Sequence, residues 1–208
     1  MSLIVAFTGR NTAVMAGDRR EILMQGPDAG ISTFEQELYH GGIVSDDSLR
    51  KRAGDLGIML IVRDTKCKVS VRDGVLVGEV AECAGGVVRR RRLYAVPGAY
   101  ALADIEAGRF HPGSKGEGST FVILGNEVTR EIAHDSIRTT WKDWTLADAV
   151  GTILRIMQTA ASRTASVSDT FDLLQTRERT GFPGLIEKDM RGAGEAGTGG
   201  SGYGSNDS

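Results

Sequence analysis

The stretch SLIVAFTGRNTAVMAGDRR, residues 2–20, decides how this chain is read. Its first part, SLIVAFT at 2–8, is rich in β-branched and aromatic residues with apolar side chains on both faces. That is the pattern of a strand buried on both sides. Gly9-Arg10-Asn11-Thr12 is turn chemistry, and AVMAGD at 13–18 returns as a second apolar strand. The pair predicts a hairpin that begins at the second residue. Chain ends fray unless tied down, so a buried strand starting there predicts that the N-terminal atoms are held. An antiparallel hairpin sets its open ends side by side, which brings Asp18 near the start of the chain.

Outward from the hairpin, residues 26–57 change character. Ser32-Thr33-Phe34-Glu35 has capping-box spacing and predicts a short helix to about Tyr39, broken by Gly41-Gly42. A second helix is expected from about Asp46 to Leu56, with Gly57 as its stop. The segment reads as a helical insertion between strands. Residues 58–63, 67–72 and 75–80 then read as strands, with Asp73-Gly74 a tight-turn signal. An apolar stretch at 93–105 is broken by Pro97-Gly98, and STFVIL at 119–124 is one more strand. Residues 127–162 show apolar positions at three- and four-residue steps, with Thr145 and Asp148 as a capping pair for the second of two helices. Residues 171–174 predict a last strand. This order predicts an α+β layered domain over residues 1–180. From about residue 190 to 208 the chain is Gly/Ser-rich and is expected to be disordered.

Composition narrows the function classes. The 208 residues are 40% hydrophobic and 25% charged, enough for one ordinary core. The apolar runs are too short to span a bilayer, so no membrane association is expected. A net charge of −2 gives no global basic field, and no nucleic-acid partner is expected. The short run Arg89–Arg92 reads either as a solvated sheet edge or as a grip for an acidic segment. Cys67 and Cys83 form no zinc pattern, and His40, His111 and His134 are scattered, so neither a metal nor a cofactor is expected. The N-terminus lacks the shape of a signal peptide, and a cytoplasmic protein is the expectation.

Ser2 carries the candidate chemistry. Met1 is removed from chains whose second residue is small, which would leave a hydroxyl and an α-amine on one residue. The amine titrates near pH 7.7–8.0 in ordinary surroundings, about the pH of a cell. It can serve as general base for its own hydroxyl, directly or through water. Asp18 is placed to orient a lysine or the terminal ammonium, or else to form a strand-end pair with Arg19 or Arg20.

MSLIVAF at 1–7 and AVMAGDRREI at 13–22 resemble the N-terminal hairpin of proteasome β subunits. Together with FEQELY at 34–39, VLVGEV at 75–80, RRRLY at 90–94 and FVILGN at 121–126, they resemble most closely the methanogen connectases. Those are archaeal proteasome-like protein ligases. The resemblance runs in order over roughly residues 1–175. It implies an N-terminal-nucleophile hydrolase-like αββα sandwich with a helical insertion at about 26–57. It further implies a sequence-specific transpeptidase, whose first mature residue attacks a peptide bond and holds the acyl group until an incoming peptide amine takes it. The implied partner is a protein or peptide substrate, a subunit of a methanogen methyltransferase, and the implied state is a monomer. Connectases carry a further C-terminal domain where this sequence continues as a Gly-rich tail.

Residue by residue, the resemblance makes Ser2 the nucleophile and Asp18 the aspartate after the hairpin. The activating lysine is left between Lys66 and Lys68, which would share one side of a strand, because proteasome spacing falls on Phe34. Ser119 matches a serine near the nucleophile. Ser168 and Asp169 match further polar contacts to the terminus. Two rival readings remain at this level: a plain N-terminal-nucleophile peptidase or amidase, and a catalytically inactive proteasome-like scaffold.

Overall fold

In the computed structural model, residues 3–84, 87–140 and 145–196 are described. Strands β1 (Ile4–Thr8) and β2 (Ala13–Asp18) form the hairpin, with Ile4 opposite Gly17 and Thr8 opposite Ala13. Both are buried along their whole length. After β3 (Glu21–Gln25) come α1 (Asp28–Tyr39) and α2 (Asp46–Asp55). Seven strands follow: β4 (Met59–Arg63), β5 (Val69–Arg72), β6 (Val75–Ala84), β7 (Val87–Val96), β8 (Ala99–Glu106), β9 (Arg109–Glu117) and β10 (Thr120–Leu124). The last described elements are α3 (Glu127–Thr140), α4 (Leu146–Arg163), β11 (Phe171–Thr176) and α5 (Pro183–Ala196).

Three antiparallel sheets result, ordered β10-β1-β2-β11, β3-β4 and β5-β6-β7-β8-β9. The alternation of side chains along β1 and β2 explains why both faces are apolar. Leu3, Val5, Phe7, Val14 and Ala16 pack on α3 and α4. Ile4, Ala6, Ala13 and Met15 pack on Val69, Leu76, Leu93 and Ala95 of the five-stranded sheet. The outer face of that sheet, through Val75, Val77, Tyr94 and Val96, is covered by Leu185 of α5 with Phe182 and Ile186. The two sheets come closest beneath the start of the hairpin, where only glycine fits. A Cβ on Gly17 would lie 2.7 Å from Val69 Cγ1, and one on Gly78 would lie 2.8 Å from Met15 Sδ.

The insertion has its own core. Phe34, Leu38, Leu49 and Ala53 of α1 and α2 meet Ile22, Leu60 and Val62 of β3 and β4. Asp73 and Gly74 take left-handed φ angles of 50° and 78°, the turn that their dipeptide specifies. Thr145 Oγ1 accepts from the Asp148 N–H at 3.2 Å, the expected cap.

Several expectations are corrected. Helix α1 starts at Asp28, with Pro27 at its N-cap, so Ser32 and Glu35 are interior residues and form no capping box. Strands β3 and β9 are additional. The Arg89–Arg92 run is no edge, because β7 lies between β6 and β8. Arg89 pairs with Glu106 at 3.0 Å, Arg91 with Asp104 at 2.7 Å, and Arg92 with Glu79. Of the segment expected to be disordered from residue 190, positions 190–196 belong to α5. The remainder, 197–208, lies outside the described residues. No helix among those described is long and apolar enough to cross a membrane.

Candidate active site

Asp18 is fully buried at the end of β2 and its carboxylate is shared. Oδ1 accepts from the Leu3 N–H at 2.6 Å. Oδ2 accepts from the Arg20 N–H at 2.8 Å and from Lys68 Nζ at 2.7 Å. The Asp18 N–H in turn donates to the Leu3 carbonyl at 3.1 Å. The hairpin register therefore ties the aspartate to the peptide that follows Ser2. Ser2 itself, the expected nucleophile, lies outside the described residues.

Lys68 is the lysine that reaches this carboxylate. Its side chain is 4% exposed. Burial pushes its ammonium below the ordinary value, against the pull of Asp18, Asp64 and Glu21. Lys66 does not share its side. The strand expected at 67–72 begins only at Val69, so residues 64–68 are an irregular connection and the two-residue alternation fails there. Lys66 is exposed and pairs with Glu21 at 3.0 Å. Its backbone N–H donates to the Arg19 carbonyl, and the Lys68 carbonyl accepts from Glu79. Both ends of the connection are thus fastened, and Lys68 is left pointing inward.

Neither arginine after Asp18 pairs with it. Arg19 forks onto Asp172 of β11. Arg20, 8% exposed, donates to Asp64 at 2.9 Å, to Asp46 at the start of α2 at 2.5 Å, and to the Ala165 carbonyl at 2.9 Å. These partners hold its guanidinium well above the ordinary arginine value. Arg20 thereby joins the helical insertion, the connection that bears Lys68 and the segment after α4.

Ser168 is buried beside the same strand end. Its hydroxyl accepts from the Arg19 N–H at 3.0 Å and donates to the Thr170 carbonyl at 2.6 Å. Asp169 is exposed next to it. Ser119 is not near this end. Thr120 faces Thr8 and Leu124 faces Ile4, so Ser119 sits at the turn end of the hairpin, roughly 17 Å along the strand from the level of Ile4. The antiparallel run of β10 instead carries Asn126 toward the start of β1. Asn126 is buried, donates to Ser166 at 3.2 Å and caps α3 through the Thr129 N–H at 2.8 Å; Ser166 also meets Thr164 at 3.0 Å. Sequence reading considered Arg20 only as a partner for Asp18 and passed over Asp64 and Asn126. An asparagine ahead of a helix is an N-cap signal that marks Asn126; Arg20 and Asp64 carry no local signal.

A buried ammonium hydrogen-bonded to a buried carboxylate stabilises negative charge nearby and relays protons. Among the described residues, no group of three or more His, Cys, Asp and Glu side chains is arranged to hold a metal ion.

Comparison with known proteins gives one family. The model described as Connectase MJ0548-like, N-terminal domain, matches residues 1–191. Among solved structures, Anbu (ancestral beta-subunit) from Yersinia bercovieri is similar at 13% identity and a TM-score of 0.46. That match covers 93% of this chain and 94% of the other. An Anbu Gly-1 mutant from Hyphomicrobium sp. strain MC1 is similar at 15% identity and a TM-score of 0.37, covering 99% and 100%. The Anbu complex of Pseudomonas aeruginosa, solved as a helical assembly, is similar at 13% and 0.38, covering 93% and 95%. No curated protein matches the chain.

Proposed function

The chain belongs to the family of connectase MJ0548-like N-terminal domains, and from that membership we propose that it is a sequence-specific protein ligase of the N-terminal-nucleophile type, an αββα sandwich. The Ser2 hydroxyl, freed with its α-amine by loss of Met1, adds to the carbonyl of a peptide bond. The bond to the leaving amine breaks and that amine takes the proton. An ester on Ser2 remains until the amine of another peptide attacks it and restores the free hydroxyl. Lys68 and Asp18 set the electrostatics of this step, while Ser168 fixes the neighbouring backbone. The substrate is a protein with a matching segment, in the family's case a methyltransferase subunit.

One observation carries the reading. A buried carboxylate holds, at 2.6 and 2.7 Å, both the backbone next to Ser2 and a buried lysine. Such a pair favours an alkoxide and a neutral amine at the chain end.

Intact mass after incubation with a candidate substrate peptide tests it. Loss of Met1 and a covalent adduct are expected, and Ser2→Ala abolishes the adduct. Adding a second amine-bearing peptide then yields an exchange product. Acid product without exchange makes the protein a hydrolase instead. Retained Met1, or an adduct that survives Ser2→Ala, overturns the nucleophile assignment.

A further inference from the structure

We propose that Arg20 and Asp64 are positioning residues of the ligase reaction, holding Lys68 and Asp18 in register with each other. Arg20 grips both members of that pair. Its backbone N–H donates at 2.8 Å to Asp18 Oδ2, the oxygen that also takes Lys68 Nζ at 2.7 Å. Its side chain holds the lysine from behind. Nε and Nη2 donate to the two oxygens of Asp64 at 2.9 and 3.0 Å. Asp64 is the first residue of the irregular connection that carries Lys68. A connection outside any sheet has no ladder to fix it. The fork on Asp64 therefore joins the backbone bonds at Lys66 and Lys68 in setting how far the ammonium reaches.

The guanidinium is spent on holding its neighbours. Nη1 donates to Asp46 Oδ1 at 2.5 Å and to the Ala165 carbonyl at 2.9 Å, and Nη2 reaches Asp46 Oδ2 at 3.4 Å. With every N–H engaged and the side chain 8% exposed, Arg20 has no donor left for a substrate. Its influence on the reaction runs through Asp64 and Asp18. An ammonium could supply the same charge, but only a planar fork makes two parallel bonds to one carboxylate. Charge is the second channel. Around the Lys68 ammonium stand Asp18 of β2, Asp64 and Glu21 of β3, with Asp64 held by Arg20 and Glu21 by Lys66. The Asp64 charge favours the protonated lysine, and Arg20 offsets that pull. Removing Arg20 therefore raises the titration of Lys68, and removing the Asp64 charge lowers it. A pair that only supported the fold would not move it in opposite directions. The assignment rests on the ligase reading for the reaction being served, and on the bonds themselves for the grip on Lys68 and Asp18.

The test uses the full chain labelled with carbon-13 at lysine Cε and follows the Lys68 resonance with pH. That resonance is identified by its loss in Lys68→Met. In parallel, p-nitrophenyl acetate serves as acyl donor: its acetyl group passes to the Ser2 hydroxyl and p-nitrophenolate leaves. The acetyl adduct that Ser2→Ala lacks is timed by intact mass. Arg20→Met is expected to move the Lys68 titration to higher pH and Asp64→Asn to lower pH, and each to slow adduct formation about tenfold. Arg20→Lys restores the titration, because the charge is back, and leaves the rate low, because the fork is not. Asp64 is 36% exposed, so Asp64→Asn carries the test if Arg20→Met does not fold. A Lys68 titration that is the same in every folded variant, unchanged rates, or a full rate in Arg20→Lys overturns the assignment. Absence of a Ser2-dependent adduct on unsubstituted protein overturns the ligase reading instead. The titrations still decide whether Arg20 and Asp64 act on Lys68.

Discussion

At the residue scale, the molecule turns on what surrounds Lys68. Its side chain is almost wholly buried, and Asp18 is the compensating charge. Removing the cation strands a buried carboxylate, so Lys68→Met is expected to destabilise the fold by about 3–5 kcal/mol near neutral pH, measured by chemical denaturation. The difference grows with alkalinity. Burial holds the folded-state value of Lys68 below its ordinary 10.5. Between the two values the unfolded chain therefore binds more protons than the folded one, and stability from this group rises with pH. The rise starts at the depressed folded value, ends at 10.5, and is absent in Lys68→Met. Asp18 was legible from the hairpin alone, because antiparallel pairing fixes which residue faces the chain start. The choice between Lys66 and Lys68 was not. It depends on where β5 begins, which is set by hydrogen bonds to Glu79 on the neighbouring strand and to Arg19, far away in sequence. Ser119 failed for a related reason: its position along the chain resembled the expected one, but the direction of β10 carries it to the wrong end of the hairpin.

Among the described helices, α5 is the one that sequence concealed. Its glycines argue against a helix, and packing outweighs them. Asp189 reaches into the outer face of the five-stranded sheet and accepts from Tyr94 at 2.6 Å, from Arg92 at 2.7 Å and from Arg72 at 2.7 Å. Burial opposes ionisation there, yet Arg72, Tyr94 and Arg92 together hold its carboxyl below the usual range. Asp189→Ala leaves the buried Tyr94 hydroxyl without its acceptor and Arg92 with Glu79 alone. A loss of roughly 3 kcal/mol is expected. Hydrogen exchange in 183–196 should quicken, while β1 and β2 keep their protection. Unchanged exchange in α5 would show that its apolar contacts suffice. Strand β9 was hidden differently. RFHPGSKGE contains a proline and two glycines, residues tolerated on an edge strand, where β9 lies, and read as loop in isolation.

For the molecule as a whole, the layers followed from the hairpin pattern, since a strand apolar on both faces must be covered on both. What composition could not reveal is how the insertion is bound to the rest. Arg20 supplies that bond through Asp46, Asp64 and the Ala165 carbonyl. Arg20→Met should loosen the insertion by about 2 kcal/mol, seen as faster hydrogen exchange across 28–55 with the four-stranded sheet unaffected. Equal loosening of both would make Arg20 a support of the whole fold. The insertion also leaves and rejoins the sheets through one doorway, because Glu21 and Arg63 face each other across β3 and β4. With its own apolar centre and adjacent ends, it behaves as a cartridge: other sequences of different length and surface can be grafted between Arg20 and Asp64 without cutting a strand of the chassis beneath.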